Sequence, residues 1–266
     1  MVKWSRNKKK SPRFLLILLL YLFILWGSLF LIKALFKKIP PPKKILKPKL
    51  AIIIDDFGRN KKIAEQIYKI HSPITLSILP YLPYSSEIAR TATANGYEVM
   101  LHLPMEPLNP KTNPGKGAIY VRMSSKEIAF QTAENIINLP PLIKGINNHM
   151  GSRATADRRV MKAMLQELKK YNFYYVDSVT SSHSIGFAVA KELGIKTAKR
   201  DIFLDNKNDA DYIKGQLRKL MVKALKNKKA IGIGHTHPLT IEVIREMIPE
   251  IEKKGIQIVF ASEIVE

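Results

Sequence analysis

Two carboxylates stand side by side at Asp55 and Asp56, where the aliphatic run Leu50–Ile54 ends and the turn residues Phe57 and Gly58 begin. Like charges this close repel. A divalent cation relieves the conflict by holding one carboxylate ionised and leaving the other free to take a proton. A β-turn or helix-cap pair of aspartates is the alternative reading. Further along, His102 follows Glu98–Leu101, His149 follows Ile146–Asn148, Asp177 follows Tyr174–Val176, and His235 and His237 follow Ile231–Gly234. Each of these apolar stretches reads as a strand, so each polar residue falls at a strand's carboxyl end. In a parallel α/β fold those ends converge, and residues distant in sequence share one face. A single histidine in such a place is often just a hydrogen-bonded structural residue. Four of the chain's six histidines beside an aspartate pair point instead to metal and acid/base chemistry. One carboxylate, two imidazoles and an open position for water make up the usual hydrolytic zinc site.

The elements that must position these groups follow from periodicity. Candidate strands cover Ala51–Ile54, Ile74–Leu79, Glu98–Leu101, Lys144–Asn147, Phe173–Val176, Ile195–Ala198, Ile231–Ile233 and Ile256–Phe260. Amphipathic stretches lie between them. Ser124 and Glu127 form a capping box, Thr155 precedes a helix with Val160, Met164, Leu165 and Leu168 on one side, and Gly96, Gly194 and Gly255 mark helix ends. Such alternation predicts parallel strands with helical crossovers. The chain is therefore expected to be an α/β protein, a distorted (β/α) barrel of about seven or eight strands. No Gly-rich dinucleotide or phosphate loop favours an open doubly wound sheet.

Composition narrows the class. Of the net charge of +22, residues 1–49 carry thirteen Lys or Arg and no acid, leaving +9 for residues 50–266. Basicity concentrated in the N-terminal arm fits a membrane surface rather than nucleic acid, because the body has no basic stripe with interleaved aromatics. Cysteine is absent, which excludes disulfides, thiolate zinc sites and cysteine nucleophiles. From Phe14 to Ile32 no residue is charged, and Lys3, Arg6, Lys8, Lys9, Lys10 and Arg13 precede this segment. That length spans a bilayer, and no small-residue cleavage site follows. The expectation is a basic arm at 1–13, one uncleaved transmembrane helix at 14–36, a Pro/Lys-rich linker at 37–49 and the barrel domain at 50–266. The short N-terminus is expected inside and the domain on the outer side of the cytoplasmic membrane.

The ordered segments IIIDDFG, GYEVMLHLPMEP, GINNHMGS, YYVDS and IGIGHTHP resemble the divergent polysaccharide deacetylases, a branch of the NodB-type carbohydrate esterases with a distorted (β/α) barrel. The resemblance covers about residues 50–264. It implies Asp55 as catalytic base, Asp56 and His102 as metal ligands, His235 as the acid that protonates the leaving group, and Asp177 as an aspartate that orients the catalytic groups. Where the family has a second histidine four residues after the first, this chain has Glu106. His149 is the expected third ligand and Glu106 the alternative. Asn147 and Asn148 replace the family's Arg-Pro-type motif. Asn148, Arg153 and His237 are the expected substrate-binding residues, with His237 an alternative acid or a loop-shaping residue. Asp205 lines the cleft or caps a turn, and Phe57, Tyr81 and Tyr84 offer faces for sugar rings. The resemblance implies a divalent metal, zinc first, and removal of acetyl groups from an N-acetylated envelope glycan. A non-catalytic anchored protein that holds glycan or metal is the competing expectation.

Overall fold

The computed structural model describes residues 12–36 and 47–266, and the chain divides into two compact units, residues 1–46 and 47–266. The basic arm up to residue 11 and residues 37–46 of the expected linker lie outside the described residues. In the first unit α1 runs Pro12–Phe36, 25 residues with a mean hydropathy of 2.8 over its apolar window and no buried residue. It is long and apolar enough to cross a membrane, and a signal sequence has the same properties.

The second unit alternates strands and helices in chain order: β1 Lys49–Phe57, α2 Lys61–Ile67, β2 Thr75–Ile78, α3 Ser85–Ala94, β3 Glu98–Met105, α4 Ser125–Asn138, β4 Gly145–Met150, α5 Arg158–Lys170, β5 Tyr174–Asp177, α6 Gly186–Glu192, β6 Thr197–Lys199, β7 Ile202–Phe203, α7 Ala210–Asn227, β8 Lys229–His235, α8 Pro238–Lys253 and β9 Gln257–Val259. The strands lie in the order β6-β5-β4-β3-β2-β1-β8-β7, with β9 added to β1, and all pairs are parallel. The expected α/β barrel is thus present in distorted form. Its seam lies between β6 and β7, which are joined by Arg200 and Asp201 without a helix and share no ladder among the described residues. The two-residue β7 was not among the expected strands, being too short to show a period.

Strand parity organises the core. Ile52 and Ile54 face the helical layer with Leu76, Leu101, Ile146 and Tyr175. Ala51 and Ile53 face the barrel interior with Met100, Tyr174, Val176, Ile231 and Ile233. Both faces are covered, which is why the strands read as unbroken aliphatic runs rather than alternating ones. Local signals end the helices where expected. Ser124 and Glu127 close a capping box on α4, and Gly96, Gly194 and Gly255 take left-handed backbone. The cap of α5 is Asp157, whose carboxylate accepts from Val160 N at 3.0 Å; Thr155 sits one short 3-10 turn earlier.

Candidate active site

Parity also aims the polar side chains. Counting outward in twos from Ile53, Met100, Tyr174 and Ile233, the inward positions at the strand ends are Asp55, His102 and His235, and on β4 Asn147 and His149. Register brings them level, since Asp55 pairs with His235 and His102 with Asn147. Asp56 should face the opposite way. Instead the β1–β2 register breaks between Ile54 and Phe57, and Asp56 takes φ 70°. This irregularity re-aims the side chain, as bulges do, and delivers two consecutive carboxylates to one place.

Three ligand atoms meet there. His102 Nε2 lies 3.3 Å from Asp56 Oδ1, His149 Nδ1 lies 3.0 Å from the same oxygen, and the two ring nitrogens are 3.1 Å apart. Asp56 Oδ1 is buried, and neither imidazole meets it in hydrogen-bonding geometry. A tetrahedral ion with bonds of about 2.0–2.1 Å spaces its ligand atoms by about 3.3 Å, so the triangle has the right dimensions for one face. The donor set and the orphaned oxygen fit a divalent metal. Burial would raise the pKa of Asp56, but His102 and His149 overcome it and hold the carboxyl far below its usual range. Burial would lower the pKa of His102, yet the charges of Asp55 and Asp56 push it up. The same electron pair that takes a proton in the metal-free protein is the one a cation would take.

Asn147 fixes the tautomer. Asp55 accepts from Asn147 Nδ2 at 2.8 Å, which sets the carboxamide's orientation because an ionised carboxylate can only accept. Asn147 Oδ1 then receives Ser77 Oγ at 2.6 Å and His102 Nδ1–H at 2.7 Å. With Nδ1 protonated, the lone pair of neutral His102 is on Nε2, toward Asp56 and His149. Asp55 is only 2 % exposed, and its Oδ2 lies 3.6 Å from His102 Nε2.

His235 has its own support. Its Nδ1 donates to Asp205 Oδ1 at 2.8 Å, while His235 N and Thr240 Oγ1 donate to Asp205 Oδ2 at 2.7 and 2.8 Å. Phe203 stacks on the imidazole at 5.5 Å, and the Arg200 guanidinium lies 3.8 Å from the centre of the Phe203 ring. Burial works against protonation of His235, but the Asp205 hydrogen bond and the Asp55 charge push its pKa up to about 9. Asp205 is held below its usual range by His235 and Thr240 despite its own burial.

Several expected residues lie elsewhere. Asp177 does not partner His235; it shares the outward face with Tyr175, and its oxygens accept from Val179 N, Ser184 Oγ and Phe187 N. Asn148 is also outward, 1 % exposed and hydrogen-bonded to Tyr175 Oη, Ser178 N and Met150 O, and it does not line the cleft. Glu106 accepts from Val121 N and Arg153 and stands outside the ligand triangle; the same pairing occupies Arg153, away from the cleft. His237, the exposed residue before α8, has its ring 6.0 Å from that of His235. Phe57 is buried, Tyr81 is covered by Lys116, and Tyr84 by Lys61. Asp205 supports His235, Asn147 holds Asp55 from the position where it replaces the family's Arg-Pro-type motif, and Ser77, Phe203 and Arg200 are contributors that motif reasoning missed. A cleft of about 530 Å³ opens over Asp56 and His149, walled by Phe57, Leu79, Leu82 and Met150.

A family model described as divergent polysaccharide deacetylase matches residues 52–265. The chain is 38% identical to the uncharacterized protein YibQ of Escherichia coli over 204 residues, which are 77% of this chain and 63% of that protein. It is 34% identical to an uncharacterized protein of Haemophilus influenzae over 199 residues, 74% of this chain and 70% of the relative. Among solved structures, that of the uncharacterized protein ATU2773 from Agrobacterium tumefaciens superposes with a TM-score of 0.79 at 22% identity, covering 85% of this chain and 92% of the other. At that identity the likeness speaks for the fold.

Proposed function

The chain belongs to the divergent polysaccharide deacetylase family, and on that premise we propose that it is a metal-dependent hydrolase that removes acetyl groups from an N-acetylated glycan of the cell envelope. The observation that carries this reading is the triangle of Asp56 Oδ1, His102 Nε2 and His149 Nδ1, with Asp55 3.6 Å from His102 Nε2 and His235 level with Asp55 on the paired strand. A divalent ion held by those three atoms, zinc by the donor set, would supply Lewis acidity toward an amide carbonyl.

The remaining steps belong to the chain's own groups. Asp55, held by Asn147, accepts the proton of the attacking water. His235 enters as imidazolium, because Asp205 binds its Nδ1 and keeps it charged at neutral pH. Its Nε2–H protonates the departing amine. The buried positions of Asp55 and Asp205 strengthen both interactions by excluding water. In this reading α1 anchors the chain in the cytoplasmic membrane with the second unit on the outer side, where envelope polymers lie.

The test is acetate release by the full chain from N-acetylated oligosaccharides, with and without added zinc. Release that requires metal and is lost in Asp55→Asn, with metal still bound, supports the proposal. Glycan retention without acetate under every metal tried replaces it with a binding role.

A further inference from the structure

Beyond the metal site, the cleft's charged lining is all of one sign. Apart from the metal-site residues Asp56 and His149, its ionisable residues are Arg59 and Lys116, both exposed. Glu87 is paired with Lys61 and Glu106 with Arg153, and neither Arg59 nor Lys116 has an ion-pair partner among the described residues. Lys116 instead lies over the Tyr81 ring, its ammonium 4.9 Å from the centroid. The two carboxamides lining the cleft reinforce the pattern. Asn60 Oδ1 is consumed by Lys62 N and Asn113 Oδ1 by Gly115 N, each at 2.9 Å, and their Nδ2 groups have no protein acceptor among the described residues. Two cations and two carboxamides with free donors thus line the cleft. A divalent metal would offset Asp55 and Asp56, leaving those two cations unbalanced.

We infer that the substrate is an acidic glycan, one that carries a carboxylate within a sugar or two of its N-acetyl group. This rests on the deacetylase reading of the same site and adds the substrate's charge to it. A neutral sugar polymer would meet the same donors without using their charge, whereas an anion uses both cations. Two exposed cations account for about a 10-fold preference at low salt.

The experiment is calorimetric binding of the full chain, zinc-loaded in detergent, to four probes: a neutral chitin tetrasaccharide, its fully deacetylated cationic form, a uronate-alternating N-acetylated tetrasaccharide, and a peptidoglycan-type disaccharide bearing a lactyl carboxylate. One or both acidic probes should bind about 10-fold more tightly than the neutral one, and the cationic probe least. Which acidic probe leads tells ring carboxylate from lactyl carboxylate. The advantage should shrink in 0.5 M salt and vanish in the Arg59→Gln, Lys116→Gln double variant. Neutral and acidic probes binding equally, neither acidic probe binding, or an advantage that survives the double variant overturns the inference. Acetate release assayed alongside separates the two claims, since an acidic preference without turnover removes the hydrolase and leaves the specificity standing.

Discussion

His235 Nδ1 and Asp205 Oδ1 meet at 2.8 Å across the gap between β8 and the segment that follows β7. This contact governs the charge of the proposed proton donor. The pKa of His235 is raised to about 9, above its unfolded value, so its stabilising contribution is complete below about pH 6.5 and is lost as pH rises through 9. In the metal-free protein the thermal midpoint should therefore fall between pH 7 and 9.5. Asp205→Asn should reduce that fall, bring the His235 titration seen by NMR back toward 6.5, and reduce turnover by about 10²-fold.

Asn147 links the proposed base to a proposed ligand, so its loss should be felt twice. Asn147→Ala leaves Asp55, Ser77 and His102 Nδ1 without their buried partner. Urea denaturation should show a loss of about 2–4 kcal/mol, and zinc titration a 10- to 100-fold weaker affinity by the usual cost of removing a ligand's supporting hydrogen bond, about the same range. Unchanged zinc affinity would contradict the tautomer argument.

Zinc should stabilise the wild-type chain by about 2.7 kcal/mol when free metal is about 100 times its dissociation constant. His149→Ala and Asp56→Asn should lose that response. Glu106→Gln should keep it, because Glu106 is bound to Val121 N and Arg153 rather than to the triangle. A thermal-shift series across the four proteins checks all three statements.

Asp177 and Asn148 should behave as structural residues. Asp177→Ala strands Val179 N, Ser184 and Phe187 N, and Asn148→Ala strands Ser178 N and Tyr175 Oη. Each should cost about 2–4 kcal/mol on unfolding while kcat of the folded protein stays within about 3-fold. A 10²-fold loss of kcat in Asp177→Ala, with His235 titrating normally, would restore a catalytic role.

Most of the architecture was legible because buried parallel strands announce themselves as aliphatic runs, and all eight expected strands formed. The site divided differently. Asp55, His102, His149 and His235 stand out as polar residues at strand ends, but so does Asp177, and Asn148 stands out as part of a replaced motif. Strand parity separates the two groups, since Tyr175 and Ile146 lie on the helical face and their neighbours two residues on share it. Motif order alone does not carry that information. Asp205 was obscured because β7 is two residues long, too short to reveal that Phe203 and Asp205 both point inward. Asp56 defies parity altogether, and the break in β1 that re-aims it leaves no mark in the residues around it.

That break shapes how a lineage could abandon the chemistry. At φ 70° Asp56 occupies a left-handed conformation that Asp, Asn and Gly tolerate and branched side chains resist by about 1–2 kcal/mol. The backbone therefore filters replacements before function does. A descendant that gave up the metal but kept the barrel should carry Asn or Gly at this position, so the residue found there in each relative records whether selection has been acting on the ion or only on the turn.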